Sequence, residues 1–192
     1  MSRHGGLSVV KVGGSLSAVP GALDAVGATL AAAGRRHRIV VVPGGGPFAD
    51  AVREFERRDR LSPDAAHWMA ILGMDQYAHV LAERIAGAVL VEEPGSIGVA
   101  VGAAGIAVLA PSRWMRAADV LEHSWAATSD SVAAFVAGAL DAERLVLIKP
   151  ADGGSGTELV DSCFASVLPS GLPYAIIGWE QAGELERMLE GA

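Results

Sequence analysis

Lysine is nearly absent from this chain. Of its 15 basic residues all but Lys11 and Lys149 are arginine. Cysteine is scarcer still: Cys163 stands alone, so no internal disulfide and no cysteine zinc site can form. One free thiol and no framework of bridges point to a reducing, cytoplasmic setting. Basic charge is also in deficit. With a formal net charge of −7 and an isoelectric point near 5.2, no basic face is expected, which argues against a nucleic-acid partner. No apolar run reaches the length of a bilayer span. The nearest, Ile97 to Ala110, is short and broken by Gly98, Gly102 and Gly105, so no membrane role is expected. The opening residues Met1-Ser2-Arg3-His4-Gly5-Gly6 lack the apolar stretch of a secretory signal. Known phosphate fingerprints are missing too. There is no G-x-x-x-x-G-K-[ST], no G-x-G-x-x-G opening the first helix, and no protein-kinase signature.

What is present is hydrophobic: 51% of residues are apolar against 19% charged, far too apolar for disorder. A length of 192 residues suits a single domain. Short β-branched runs alternate with helical patterns. Strands are expected at Leu7 to Val12, Arg38 to Val42, Ala88 to Val91, Ile106 to Leu109, Leu145 to Ile148 and Tyr174 to Ile177. Helices are expected at Gly21 to Ala33, about Phe48 to Arg58, Pro63 to about Ile85, Thr128 to Leu140, and Gln181 to Leu189. Ser62-Pro63-Asp64 is a strong start signal: a capping hydroxyl, proline at the first helical position and an acid in the first turn. Apolar strands without in/out alternation indicate a mainly parallel sheet covered on both faces. The fold class is therefore α/β, a three-layer αβα sandwich.

In such sheets ligands gather beyond the carboxyl ends of the strands. Three glycine-rich segments fall there: Lys11-Val12-Gly13-Gly14-Ser15, Pro43-Gly44-Gly45-Gly46-Pro47 and Lys149-Pro150-Ala151-Asp152-Gly153-Gly154. Glycines let backbone N–H groups approach an anion, and a following helix adds a favourable dipole. One such loop is commonly just a tight turn. Three at one edge, holding both lysines of the chain, are a better candidate for handling phosphate. Asp130, in the first turn of an expected helix, either stabilises that helix, holds the two ammonium groups, or binds a magnesium ion. His123 and Trp125 stand in a polar loop just before it and could clamp a flat acceptor, although a core tryptophan and a surface histidine are equally ordinary. His67 and Trp68 belong to the long helix, where Met69, Leu72 and Met74 read as core rather than a cofactor box. Arg57-Arg58-Asp59-Arg60 reads as a solvated helix end.

Val9-Val10-Lys11-Val12-Gly13-Gly14-Ser15, then Val40-Val41-Val42-Pro43-Gly44-Gly45-Gly46-Pro47-Phe48, then Thr128-Ser129-Asp130-Ser131-Val132-Ala133-Ala134, resemble the amino acid kinase family in that order. Acetylglutamate, carbamate, aspartate and uridylate kinases belong to that family. Leu145-Val146-Leu147-Ile148-Lys149-Pro150-Ala151-Asp152-Gly153 looks like its adenine-side loop. His123-Ser124-Trp125 ahead of Thr128-Ser129-Asp130-Ser131 is similar to the small kinases that act on (5-(aminomethyl)furan-3-yl)methyl phosphate in methanofuran biosynthesis.

The resemblance implies an ATP- and Mg2+-dependent kinase of a small phosphate monoester. The family's alternatives are a carboxylate or carbamate kinase, or a non-catalytic oxyanion-storage subunit. Lys11, Asp130 and Lys149 would be catalytic, with Lys11 neutralising the moving phosphoryl group and Asp130 orienting the lysines. Lys11, Gly13, Gly14, Ser15, Lys149, Asp152 and Gly153 would contact ATP. Gly44, Gly45, Gly46, His123, Trp125 and Thr128 would hold the acceptor. Residues 1–127 would form the acceptor-side half and 128–192 the nucleotide-side half of the one domain, and a homo-oligomer is the default expectation. Two departures stand out. No lysine follows Lys149, where most branches carry one, and the stretch Gly154 to Gly178, with Asp161 and Phe164 in its middle, is short for the family.

Overall fold

Six parallel strands form one sheet in the order β3-β4-β2-β1-β5-β6, in a computed structural model that describes residues 6–150 and 159–190. They are β1 (Leu7–Val12), β2 (Arg38–Pro43), β3 (Val89–Val91), β4 (Ile106–Leu109), β5 (Arg144–Lys149) and β6 (Tyr174–Gly178). The helices are α1 (Ala22–Ala33), α2 (Gly46–Asp59), α3 (Pro63–Arg84), α4 (Pro94–Ala104), α5 (Ser112–Ala118), α6 (Ser129–Ala139), α7 (Phe164–Val167) and α8 (Leu185–Glu190). Short 3-10 turns lie at Gly14–Ala18 and Trp179–Glu184. Among the described residues no helix is long and apolar enough to cross a membrane.

The expected strands all form. The central ones are buried nearly end to end, as their unbroken Val, Ile and Leu runs require when helices cover both faces. Successive side chains point to opposite faces. Val9, Val40, Val42, Leu145 and Leu147 enter one core, shared with α4, α6 and α7. Val10, Val12, Ile39, Val41, Val146 and Ile148 enter the other, shared with α1 and α8. The long helix α3 gives Ile71 and Met74 to the first core and Tyr77, Ala78 and Leu81 to the second. Its start follows the sequence signal: Ser62 caps it by accepting from the Ala65 amide at 3.2 Å, with Pro63 next in line.

Three helices were not read from sequence: α4, α5 and the one-turn α7. The closing helix is also shorter than expected, because its first half is the 3-10 turn Trp179–Glu184. Two of the three methionine- and leucine-rich positions on α3 depart from a core reading, since Met69 and Leu72 are exposed while Met74 is buried. The arginine cluster is the expected solvated end, finished by Arg60 in the left-handed region at φ 54°.

β1 is central, paired with β2 on one side and β5 on the other. The helix that follows β1 lies on one face and the helix that precedes β5 lies on the other. This reversal opens a crevice beyond the strand ends, where α/β sheets place their ligands.

Candidate active site

Register sets the direction of both lysines. Lys11 pairs with Leu147 across the β1–β5 ladder, and Leu147 faces the core shared with α6. Lys149 lies two residues beyond Leu147 and so points to the same face. The first turn of α6 carries Asp130 into the gap between them. Lys11 Nζ stands 2.9 Å from Asp130 Oδ1, an ion pair without hydrogen-bond alignment, and Lys149 Nζ donates to Oδ2 at 2.6 Å. Lys11 is 4% exposed and Asp130 also 4%, so the carboxylate is neutralised by ammonium groups instead of water. Burial pulls the Lys11 ammonium below its ordinary range; Asp130 opposes that and Lys149 adds to it. Burial alone would push Asp130 upward, but the two ammonium groups prevail and hold it below the usual carboxylate range.

α6 is held by a carboxylate from far along the chain. Asp161 Oδ2 accepts from the Thr128 amide and hydroxyl, both at 2.8 Å, and from the Ser131 amide at 3.0 Å. Its other oxygen accepts from the Ser131 hydroxyl. A negative group at a helix N-terminus satisfies orphan amides and favours the dipole, so Asp161 fixes the turn that presents Asp130. Thr128, expected at the acceptor, lies on the cavity wall but donates its hydroxyl to Asp161.

The first two glycine loops interlock. A Cβ on Gly44 would fall 2.2 Å from the Gly14 amide nitrogen, and one on Gly14 would fall 2.1 Å from that of Gly46. Only backbone fits on either side. Gly46 also adopts φ +55°, which glycine takes without strain. This packing uses two of the expected loop amides within the fold. The Gly13 amide donates to Ile148 O at 2.9 Å, and the Gly44 amide to Val12 O at 2.8 Å. Both groups are spent inside the fold, and both residues lie off the cavity wall. The amides of Gly14, Gly45 and Gly46 take no acceptor among the described residues and line the cavity. Ser15 lines it as well. Asp152 and Gly153 lie outside the described residues.

The cavity has a volume of about 220 Å³, sized for a small metabolite rather than a whole nucleotide. Its floor holds Lys11, Asp130 and Lys149; its walls are α2, α3 and the Ser124–Ser129 segment. Asp50, Arg53 and Glu56 share the α2 face that lines it. Arg53 pairs with Asp50 at 3.0 Å and lays its guanidinium 4.2 Å from the centre of the Trp125 ring. The Trp125 indole N–H donates to Glu56.

His123, expected at the acceptor, is not among the residues that line the cavity. It stacks on His67 at 4.2 Å, and His67 is the histidine on the wall. His123 Nδ1 lies 2.7 Å from Asp64 and Nε2 lies 2.9 Å from Asp119. A ring with a carboxylate at each nitrogen favours the doubly protonated form. The Asp119 bond, above all, raises its pKa, with Asp64 adding and burial opposing. His67 is shifted the other way, by burial and then by the neighbouring His123.

Reading the sequence missed Asp50, Arg53, Glu56 and His67. The i, i+3, i+6 spacing of the first three, directly behind the second glycine loop, is the signal that could have found them. Among the described residues the one cluster of metal-binding type, His37 with Glu186 and Glu190, lies elsewhere, and Arg36 pairs both glutamates.

A parallel α/β sheet whose strand ends bring paired ammonium groups and free loop amides to one cavity defines a phosphotransferase. Residues 6–153 match the sequence profile of the amino acid kinase family, and the chain belongs to that family. It is 32% identical over 151 residues to the [5-(aminomethyl)furan-3-yl]methyl phosphate kinase of Methanocaldococcus jannaschii, covering 77% of this chain and 67% of that protein. Its fold is similar to the uridylate kinase of Archaeoglobus fulgidus, with a TM-score of 0.71 at 15% identity, covering 96% of this chain and 95% of that one. The UMP kinase of Ureaplasma parvum gives 0.66 at 10% identity, covering 98% and 96%.

Proposed function

We propose that this kinase moves the γ-phosphoryl group of ATP onto the phosphate of a small aromatic monoester, (5-(aminomethyl)furan-3-yl)methyl phosphate, giving ADP and the diphosphate. The observation that carries phosphoryl transfer is Asp130 with an ammonium at each oxygen, 2.9 and 2.6 Å away, beneath the amides of Gly14, Gly45 and Gly46. The acceptor rests on the likeness to the Methanocaldococcus enzyme and on the Trp125 ring in the cavity wall.

An oxygen of the acceptor phosphate attacks the γ-phosphorus, and the bond from that phosphorus to the β,γ-bridging oxygen breaks. The electron pair leaves on ADP. A phosphate monoester is largely dianionic near neutrality, with its second pKa about 6, so no general base has to remove a proton. Catalysis then consists of placement and charge stabilisation. Lys11 and Lys149 face the migrating charge; Asp130 keeps both in position and in range of one another. The loop amides hold the phosphate oxygens in line. Lys149 takes the place of the lysine that the chain lacks further on. A bound magnesium ion would supply further charge neutralisation on the nucleotide's phosphates. Both Asp130 oxygens already face ammonium groups, so that carboxylate is not free to bind the ion, and the nucleotide's own oxygens would carry it.

Purified protein with Mg-ATP and the furan phosphate should yield ADP and a diphosphate, both visible by phosphorus NMR. Turnover on carboxylate or carbamate acceptors in its place would move the assignment to another branch of the family. Tightly bound oxyanion with no ATP turnover on any acceptor would replace it with storage.

A further inference from the structure

Three carboxylates line the cavity, and only one lacks a cation. Asp130 is held by Lys11 and Lys149, and Asp50 by Arg53. Glu56 has no cationic partner among the described residues; its contact is the Trp125 indole N–H. That neutral donor steadies the carboxylate but leaves its charge uncompensated in a half-buried position. We infer that Glu56 is the specificity-determining residue for the acceptor, reading a primary ammonium at the end of the molecule opposite its phosphate.

Placement supports this division of labour. Glu56 lies ten residues beyond Gly46, about 15 Å along α2 at 1.5 Å per residue, and its side chain leans back toward the helix N-terminus. The carboxylate therefore sits away from the transfer point at Lys11, where a negative charge would oppose the incoming phosphates. It also sits beside the Trp125 ring, where a flat heterocycle would have to take the face that Arg53 does not cover. Arg53 takes part in the same arrangement from the ring, 4.2 Å from its centre, and is itself paired with Asp50 rather than with Glu56. An acceptor with phosphate at one end, an aromatic ring in the middle and an ammonium at the other would meet opposite charge at both ends. The inference rests on the kinase reading above, but its readout does not require turnover.

The test compares two ligands by calorimetry: the aminomethyl furan phosphate and the same compound with a methyl group in place of the aminomethyl. Wild-type protein should bind the amine about tenfold to hundredfold more tightly, the range of a hydrogen bond to a charged group. Glu56→Gln should bring that ratio close to one, and Trp125→Phe, which keeps a ring but removes the N–H that steadies Glu56, should reduce it partway. A ratio near one in the wild type overturns the inference, as does a ratio that survives in Glu56→Gln. If the variant fails to fold, the pH dependence of the wild-type ratio decides instead. It should collapse as the ligand's amine deprotonates at alkaline pH, and a flat ratio counts against a charge-reading role. A wild-type protein that prefers the amine, loses that preference in Glu56→Gln and yet transfers no phosphate would sink the proposed reaction while leaving the assignment of Glu56 standing.

Discussion

At the residue scale the chemistry was legible because lysine is rare. Two lysines in a chain of arginines, each beside a glycine loop, mark positions where a compact charge is needed, and the fold brings both to Asp130. The amides were less legible. Nothing in a run of glycines tells which N–H faces a ligand and which is bonded inside the sheet, and Gly13 and Gly44 turned out to be bonded inside. Two substitutions separate charge from structure. Lys11→Met leaves Asp130 with Lys149, so the fold keeps its buried pair while the transition state loses one cation. Its kcat should fall about 10²- to 10³-fold with a modest effect on stability. Asp130→Asn strands two ammonium groups, one of them fully buried, and should lower kcat comparably while costing about 3 kcal/mol of stability as well. Urea unfolding alongside steady-state kinetics distinguishes them; equal unfolding midpoints for the two variants would mean that the buried pair is absent.

At the scale of elements, the strands declared themselves through uninterrupted β-branched runs, and Leu7 to Val12 and Ile106 to Leu109 form with the expected ends. α4 did not declare itself. Its Gly95, Gly98 and Gly102 oppose helix formation, and the helix is held by tertiary burial of Ile97, Ala100 and Val101, a contact no local reading contains. The cap of α6 was hidden for the same reason, since Asp161 is 30 or more positions away from the amides it satisfies. The interlocked loops can be tested against this contrast. In Gly44→Ala the new methyl meets the Gly14 backbone at 2.2 Å and neither loop has a flexible side chain to yield. A loss of about 1–3 kcal/mol is expected, together with a raised KM for acceptor as the second loop is pushed outward. Gly98→Ala, on an exposed helical position with nothing within 4 Å, should instead gain up to about 1 kcal/mol. Thermal melts of the pair that move in the same direction would argue against the close approach of the two loops.

For the molecule as a whole, the sequence reading reached a layered parallel sheet but not its strand order, because lateral neighbours are chosen by contacts distant in sequence. That order puts β1 between β2 and β5 and thereby gathers the first two glycine loops and the end of β5 at one edge. It also leaves the wall of the cavity dependent on a clamp between elements. His123 ties Asp64, in the first turn of α3, to Asp119, just past α5, while its face rests on His67. The pKa of His123 is raised in the fold from the ordinary 6.5. A raised base stabilises the folded protein fully below the unfolded value, and that contribution fades as pH climbs through the folded value. His67 works against it. Its pKa is lowered from 6.5, so its penalty is present in acid and disappears above that value. The two effects fall on opposite sides of pH 6.5, so the wild type should gain stability from acid up to that value and lose it above. His123→Gln removes the contribution that is lost above pH 6.5 and leaves His67, so the variant should not share the wild type's decline as pH rises past that value. The gap in melting temperature between the two proteins should be widest below pH 6.5 and close at higher pH. A constant gap across that range would mean that His123 holds the wall by packing on His67, with its two carboxylate bonds carrying no charge.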